Sequence, residues 1–370
     1  MTQPALAGLP AASLSGYQDR AERSLPTDLA AYFLRGAGQE RTLNRNLSDL
    51  GQVRLLPRAL RDLRGGSTAL ALFGQRLAAP ILVAPMAWQR LLHPDGEAGL
   101  AAAATAQGLG MVLSAQASTP MAQVRAAGAG CGWFQIYWQN TRTDTLALAA
   151  RAAQAGFKAL VVTVDAPVSG LRDAEIEAGF ALPGDMVPVN LVGFAPPSFA
   201  PLTEDESAIF DRIAHVLPDW ADLAWFCANA PLPVLVKGIL HPEDAALAVK
   251  AGVAGIIVSN HGGRVLDGVP SAISVLPAVA ARVQGAVPLL MDSGIRRGED
   301  IYKALALGAT AVLVGRPLCH GLALGGALGA SHVLRLLRDE LEVTMALMGR
   351  RRLGDIGGTD VVLPPGFSPF

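Results

Sequence analysis

The chain has 370 residues, of which 51% are hydrophobic but only 5% aromatic, and its formal net charge is −1 at pH 7. That length fits one large α/β barrel or two smaller domains around an aliphatic core, and the near-zero charge removes any electrostatic case for nucleic acid or an anionic membrane. The three cysteines, Cys131, Cys227 and Cys319, have neither disulfide-framework nor metal-ligand spacing and read as buried free thiols in a reducing compartment.

The amino terminus lacks a basic region leading into an apolar core, so no secretory signal is expected and the location reads as cytoplasmic. Residues 1–80 predict a helix over Pro26–Arg35 and a strand pair around Val53–Leu55 and Ala69–Phe73, together an N-terminal helical and hairpin cap. Eight short apolar runs follow: Ile81–Pro85, Met111–Ala115, Trp133–Trp138, Ala159–Asp165, Pro233–Ile239, Gly255–Asn260, Pro288–Gly294 and Ala311–Pro317. Ala-rich helical segments lie between them, among them Gly96–Gln107, Asp144–Ala155, Pro242–Ala251 and Gly298–Leu307. The runs start roughly 22 to 33 residues apart, the length of one βα unit. Eight such units predict a single (β/α)8 TIM barrel over residues 81–345, within one domain spanning 1–370. A doubly wound open sheet is the alternative, but no glycine-rich dinucleotide turn is present.

One interval is longer: 74 positions separate Ala159 from Pro233. Its surplus, about 175–217, is rich in Pro, Gly and Asp and has little periodicity, the signature of a long lid loop after strand four. The stretch from Leu318 to Leu337 is apolar but interrupted by His320, His332 and Arg335, so it reads as a buried small-residue helix and not a membrane span. Residues 364–370 read as an unstructured tail.

In a barrel the polar residues at strand carboxyl ends converge on one cavity. Here they are Ser114; Gln135 and Tyr137; Thr163, Asp165 and Arg172; Lys237; Ser259, His261 and Arg264; Asp292, Gly294 and Arg296; and Gly315 with Arg316. The segments Asp292–Gly298 and Val314–Pro317 fit a phosphate site, with glycines for close backbone approach and arginines for charge-assisted bonds. Asp165 and His261 fit a carboxylate–imidazole pair able to take a proton, leaving Arg172 and Arg264 for an anionic substrate. No nucleophile with a matching base and no metal cluster is present. Proton abstraction beside a carboxylate needs an electron acceptor, which argues for a phosphate-bearing redox cofactor.

The segments SNHGGRVLDGVP (259–270), MDSGIRRGEDIYKALALGA and VGRP strongly resemble the FMN-dependent L-2-hydroxy acid oxidase and dehydrogenase family, which includes glycolate, lactate and mandelate-type enzymes. AYFLRGAGQERTLNRN, ILVAPMAWQRLLHPDGE, FQIY, TVDAP and VLVKGI extend the match over nearly the whole chain. The resemblance implies FMN as cofactor, His261 as the base and Asp165 as its partner. It implies that Arg172, Arg264 and Tyr32 bind the substrate carboxylate and that Tyr137 bonds the hydroxyl or developing keto oxygen. Lys237 would lie at the flavin N1–O2 edge; Pro85, Met86, Ala87, Ser114, Gln135, Thr163 and Ser259 would line the ring. Asp292, Ser293, Gly294, Ile295, Arg296, Gly315 and Arg316 would hold the ribityl phosphate.

Four positions depart from the family pattern. Leu171 replaces the first of two adjacent arginines, and Met86 stands where threonine is common. Gln116 stands where plant glycolate oxidases have a pocket-narrowing tryptophan, and Ser293 replaces a common glycine. Met86, Trp88 and Gln116 are therefore expected to shape the side-chain pocket, opening it to larger, mandelate-type 2-hydroxy acids. Oxygen is the expected acceptor, giving hydrogen peroxide. A dehydrogenase serving a quinone or cytochrome is the alternative, and a non-catalytic FMN- or phosphate-binding barrel is a third reading. The resemblance also implies a homo-oligomer, a tetramer or octamer.

Overall fold

Short β-branched runs alternating with Ala-rich helices close on themselves. In the computed structural model, which describes residues 8–128, 130, 132–365 and 367, eight parallel strands form a closed barrel. They are β1 (Ile81–Val83), β2 (Gly110–Leu113), β3 (Gly132–Ile136), β4 (Leu160–Thr163), β5 (Val234–Ile239), β6 (Gly255–Val258), β7 (Leu289–Met291) and β8 (Ala311–Val314). Each neighbours the next in sequence and β8 pairs with β1. The helices Gly96–Ala106, Arg142–Gln154, Pro242–Lys250 and Gly298–Ala306 occupy the predicted positions. Cys131 and positions 366 and 368–370 of the tail lie outside the described residues.

Side-chain alternation converts the strand sequences into layers. Leu82, Val112, Trp133, Val161, Leu235, Ile257, Leu290 and Leu313 belong to one buried cluster inside the barrel. Two residues further along the same strands stand Ala84, Ser114, Gln135, Thr163, Lys237, Ser259, Asp292 and Gly315. The period of two puts this second set on the same inward side, one layer closer to the carboxyl face.

The opposite end is plugged. An antiparallel hairpin, Leu70–Leu72 with Gln75–Leu77, contributes Leu72 and Leu77 to the inner cluster. Phe73 meets the Trp133 ring edge-on at 5.4 Å. The expected pairing of Val53–Leu55 with Ala69–Phe73 does not occur: Arg54–Leu55 pairs with Val361–Val362 instead. Phe73 and Gly74, with φ of 47° and 71°, form a two-residue turn that pairs each flank locally before a distant strand can compete.

The N-terminal region divides between the two ends. Leu14–Ser24, capped by the Ser13 hydroxyl accepting from the Gly16 N–H at 3.1 Å, packs on the C-terminal helix, with Tyr17 Oη 3.0 Å from His332 Nδ1. Arg41–Gln52 lies at the carboxyl face, where Asn46 and Asn260 exchange side-chain hydrogen bonds of 2.9 and 2.7 Å. Neither helix was expected from the sequence; the second is polar, its N-cap residue Glu40 makes no capping bond, and its first turn is capped from afar by Asp267 Oδ1, which accepts the Thr42 N–H at 2.7 Å.

After β4 the chain forms a short helix, Asp173–Glu177, and two 3-10 turns, Val189–Leu191 and Ile213–Val216. Asn190 is buried, accepting from the Met121 N–H at 2.8 Å and donating to Thr119 O at 3.2 Å. Arg151 donates to the carbonyls of Asn190 and Val192. The middle of the long loop is thus tied to the barrel wall, while 195–205 are mostly exposed. The apolar C-terminal stretch forms helix Arg316–Leu347, broken at Gly325–Gly326. At the break the Ala327 N–H is captured by Asp95 Oδ2 at 2.8 Å. The tail needs correction at Phe367, which is buried against the core and bonded through its N–H to Pro364 O. Among the described residues no helix is long and apolar enough to cross a membrane. Cys319 is buried and Cys227 half-buried, both free.

Candidate active site

The carboxyl ends of the strands surround a cavity of about 910 Å³. All the candidate catalytic, substrate-binding and cofactor-binding residues line it except Asp165 and Ser259, which hydrogen-bond the lining residues His261 and Lys237.

His261, Gly262 and Gly263 are three consecutive left-handed residues, with φ of 58°, 65° and 73°. A side chain at Gly263 would meet the Leu43 backbone nitrogen at 2.6 Å, and one at Gly262 the Arg316 Nη1 at 2.8 Å. Glycine is required at both, while His261 carries the backbone strain of a non-glycine residue. The turn swings the imidazole back so that Nδ1 lies 3.0 Å from Asp165 Oδ1. With Nδ1–H donating to the carboxylate, Nε2 remains the acceptor. Burial alone would raise the Asp165 carboxyl, but the charges of Lys237 and His261 and the imidazole hydrogen bond outweigh it and hold the carboxyl below its ordinary range.

The pairing of β5 with β6 shifts register between Lys237 and Ile239. Gly238, at the shift, has φ of 110°, and a Cβ there would meet Asp165 Cβ at 2.5 Å. The bulge lets β5 backbone press on Asp165 while Lys237 stays on the inward side. Lys237 Nζ lies 3.2 Å from Asp292 Oδ2 and donates to Ser259 Oγ at 2.9 Å. Burial disfavours its charge, yet Asp292 and Asp165 overcome this and raise it, so it stays an ammonium. Ser259 Oγ also accepts the His261 N–H at 3.0 Å, which ties lysine and histidine together.

A second group gathers around Tyr32. Its ring lies under Arg264 at 5.1 Å and Arg172 at 5.8 Å, and Phe180 stacks on it at 4.4 Å. Arg264 Nη1 donates to the carbonyls of Tyr32 and Arg35. Burial pushes the Tyr32 hydroxyl up to about 12 and also raises Tyr137, so both remain protonated donors at neutral pH.

At β7 and β8 the site is electropositive. Arg316 donates to the carbonyls of Leu34, Gly262 and Arg35 at 3.0, 2.8 and 2.9 Å. Burial, then the like charges of Arg296 and Arg264, push it down to about 9. Arg296 Nε is buried without a partner among the described residues, and burial lowers this guanidinium too. Two buried guanidinium groups lining one cavity, one of them disfavoured by the other, suit an anion. Ser293 has φ of 74°. Its hydroxyl donates to Asp292 Oδ1 and accepts from the N–H groups of Asn260 and Gly262, which offsets the serine-for-glycine departure. Along the cavity wall Ser114 donates to Gln135 Oε1 at 3.2 Å, and Gln135 Nε2 is a buried donor without a partner among the described residues.

Sequence reasoning missed three contributors. Cys319 lines the cavity with Sγ 3.3 Å from Met86 Sδ; its position one turn beyond Arg316 was the available signal. Phe180 and the carboxylate of Glu175, 3.0 Å from Arg172, had none. Met86 and Gln116 line the cavity. Trp88 does not: it is buried in a left-handed turn outside it.

The donor set fits FMN. An unpartnered amide at Gln135 and an ammonium at Lys237 suit the acceptor edge of a flavin ring, and the arginine pair suits a phosphate. The sequence model of the FMN-dependent dehydrogenases matches residues 21–363. An L-lactate oxidase of a Roseobacter species is 50% identical over 349 residues, 94% of each chain. The glycolate oxidase of Spinacia oleracea is 39% identical, covering 94% of this chain and 95% of its own. A mandelate oxidase solved with benzoyl-formic acid superposes with a TM-score of 0.86 at 39% identity, covering 95% of this chain and 98% of its own. Family model, full-length relatives and superposed fold agree, and the chain belongs to the FMN-dependent dehydrogenase family.

Proposed function

We propose that the protein oxidises an L-2-hydroxy acid to the 2-oxo acid and passes the electrons to O2, which becomes hydrogen peroxide. The carrying observation is the Asp165–His261 pair at 3.0 Å beside a cavity that also presents Arg172, Arg264, Tyr32, Tyr137 and Lys237. FMN, when bound, supplies the acceptor for the substrate's electron pair. Residues 85–87 with Ser114, Gln135, Thr163, Lys237 and Ser259 would hold its ring, and 292–296 with Gly315 and Arg316 its phosphate.

Arg172, Arg264 and the protonated Tyr32 hydroxyl hold the substrate carboxylate, and Tyr137 donates to the substrate oxygen. His261 Nε2 then takes one of the two protons that the substrate loses, and Asp165 stabilises the imidazolium formed. A carboxylate clamp and a hydroxyl donor on separate elements orient the chiral carbon, which selects one enantiomer. The names of the relatives support oxygen as the acceptor. The cavity lining also includes the apolar side chains of Trp138, Trp220, Leu223 and Ile239, which supports an aromatic or long aliphatic substrate side chain.

The test is an anaerobic stopped-flow screen of glycolate, L-lactate, L-2-hydroxyoctanoate and (S)-mandelate. Bleaching of the flavin band should be fastest with the two larger acids. Absence of bleaching with all four would overturn the enzymatic reading; a preference for glycolate would overturn only the pocket assignment.

Arg316→Ala should loosen FMN. Loss of charge-assisted hydrogen bonds costs about 1.5–3 kcal/mol each, so the Kd for FMN should rise about tenfold to a hundredfold. Riboflavin, without the phosphate, should bind wild type and variant alike. Dialysis followed by flavin absorbance checks both; full retention of FMN would refute the phosphate assignment.

A further inference from the structure

Glu175 has no place in the machinery above. It lies on the short helix Asp173–Glu177 directly after Arg172. Its Oε2 is 3.0 Å from Arg172 Nη1 and 3.9 Å from Arg264 Nη2. The same oxygen is sealed from solvent, and among the described residues the two guanidinium groups hold it by charge without meeting hydrogen-bond angles. A buried carboxylate needs a counter-charge, and here both counter-charges belong to the proposed substrate anchor, so stability of a five-residue helix does not by itself explain its position. Electrostatics does. Arg264 is a buried cation disfavoured first by desolvation and further by Arg172, and the Glu175 charge opposes that effect.

We propose that Glu175 is an internal stand-in for the substrate carboxylate. It neutralises Arg172 and Arg264 while the site is free of substrate and must be exchanged for the carboxylate of the 2-hydroxy acid. The proposal rests on reading those arginines as the substrate anchor. Two carboxylates crowded between the same two guanidinium groups repel each other, so arrival of one displaces the other. Displacing Glu175 moves the helix that carries it. Five residues further on, Phe180 stacks on Tyr32, so the exchange is coupled to the wall of the site and to the start of the long loop. Return of Glu175 competes with the product carboxylate and favours its release. The device lowers apparent affinity for carboxylates by the fraction of molecules in which the arginines are free.

The test measures the Kd of oxalate by its perturbation of the flavin spectrum, using holoenzyme of wild type, Glu175→Gln and Glu175→Asp. Glu175→Gln should bind oxalate about tenfold more tightly, as expected if about one molecule in ten is open in the wild type. Glu175→Asp keeps the charge but withdraws it by one methylene, and should also bind more tightly than wild type. A neutral 2-hydroxy amide should change affinity far less in both variants. Unchanged or weaker oxalate binding in Glu175→Gln overturns the proposal. Tightening in Glu175→Gln with wild-type behaviour in Glu175→Asp also overturns it, since net charge and not occupancy would then be responsible. If Glu175→Gln fails to fold with FMN, the Asp variant alone decides. Failure of the underlying function is read separately, from the absence of wild-type flavin bleaching by every 2-hydroxy acid in the anaerobic screen.

Discussion

Replacing His261 with glutamine is expected to slow anaerobic reduction of the bound FMN by a 2-hydroxy acid about 10²–10⁴-fold, while FMN content stays at the wild-type level. Glutamine preserves approximate size and hydrogen bonding but has no nitrogen able to take a proton at neutral pH. The residues proposed to hold the phosphate follow β7 and β8, and the strained backbone at φ 58° is that of the substituted residue itself, so FMN content is expected to survive the change. Stopped-flow reduction beside the flavin absorbance of the purified variant separates the two effects. Near wild-type reduction would remove His261 from the chemistry. The Asp165 carboxyl is held below its ordinary range, so its contribution to stability is in place above about pH 4, the unfolded carboxyl range, and is lost only as pH falls through its depressed folded value. Acid loss of activity at higher pH is therefore not due to protonation of Asp165.

Arg264→Met should cost function far more than it costs stability. Truncating one partner of a buried, hydrogen-bonded charge pair costs about 2–5 kcal/mol, so kcat/KM for a 2-hydroxy acid should fall roughly thirtyfold to several thousandfold. The loss should divide between KM and kcat, because the carboxylate anchor also orients the reacting carbon. The ligand-free fold should lose little, since the variant removes a buried cation whose charge is disfavoured by burial and by Arg172, and methionine refills much of the volume. Thermal unfolding of the apoprotein beside steady-state kinetics checks this. A large fall in Tm would mean that Arg264 serves mainly to tie down the carbonyls of Tyr32 and Arg35.

The parts of this protein written in local sequence were legible. Eight short apolar runs at βα spacing announced the barrel, because strand length and helix periodicity are properties of adjacent residues. Polar residues at the strand carboxyl ends announced the site, and six of them, Ser114, Gln135, Thr163, Lys237, Ser259 and Asp292, follow a buried strand residue by two positions, so the pleat puts both on one side. His-Gly-Gly announced a functional turn, since glycine suits the left-handed backbone at 262 and 263 and the close approach of Leu43 backbone to 263. Tertiary structure decided what depends on closure of the ring. It set Asp165 against His261 across 96 positions of chain and brought Phe180 onto Tyr32. It committed the Phe73–Gly74 hairpin to the floor of the barrel and sent Arg54–Leu55 to a strand at the far end of the chain. It also put the carboxylate of Glu175 between two arginines, one of them 89 positions away. Those contacts bring together residues that no local propensity relates, and their geometry is set only when packing of the whole barrel fixes how each loop leaves its strand.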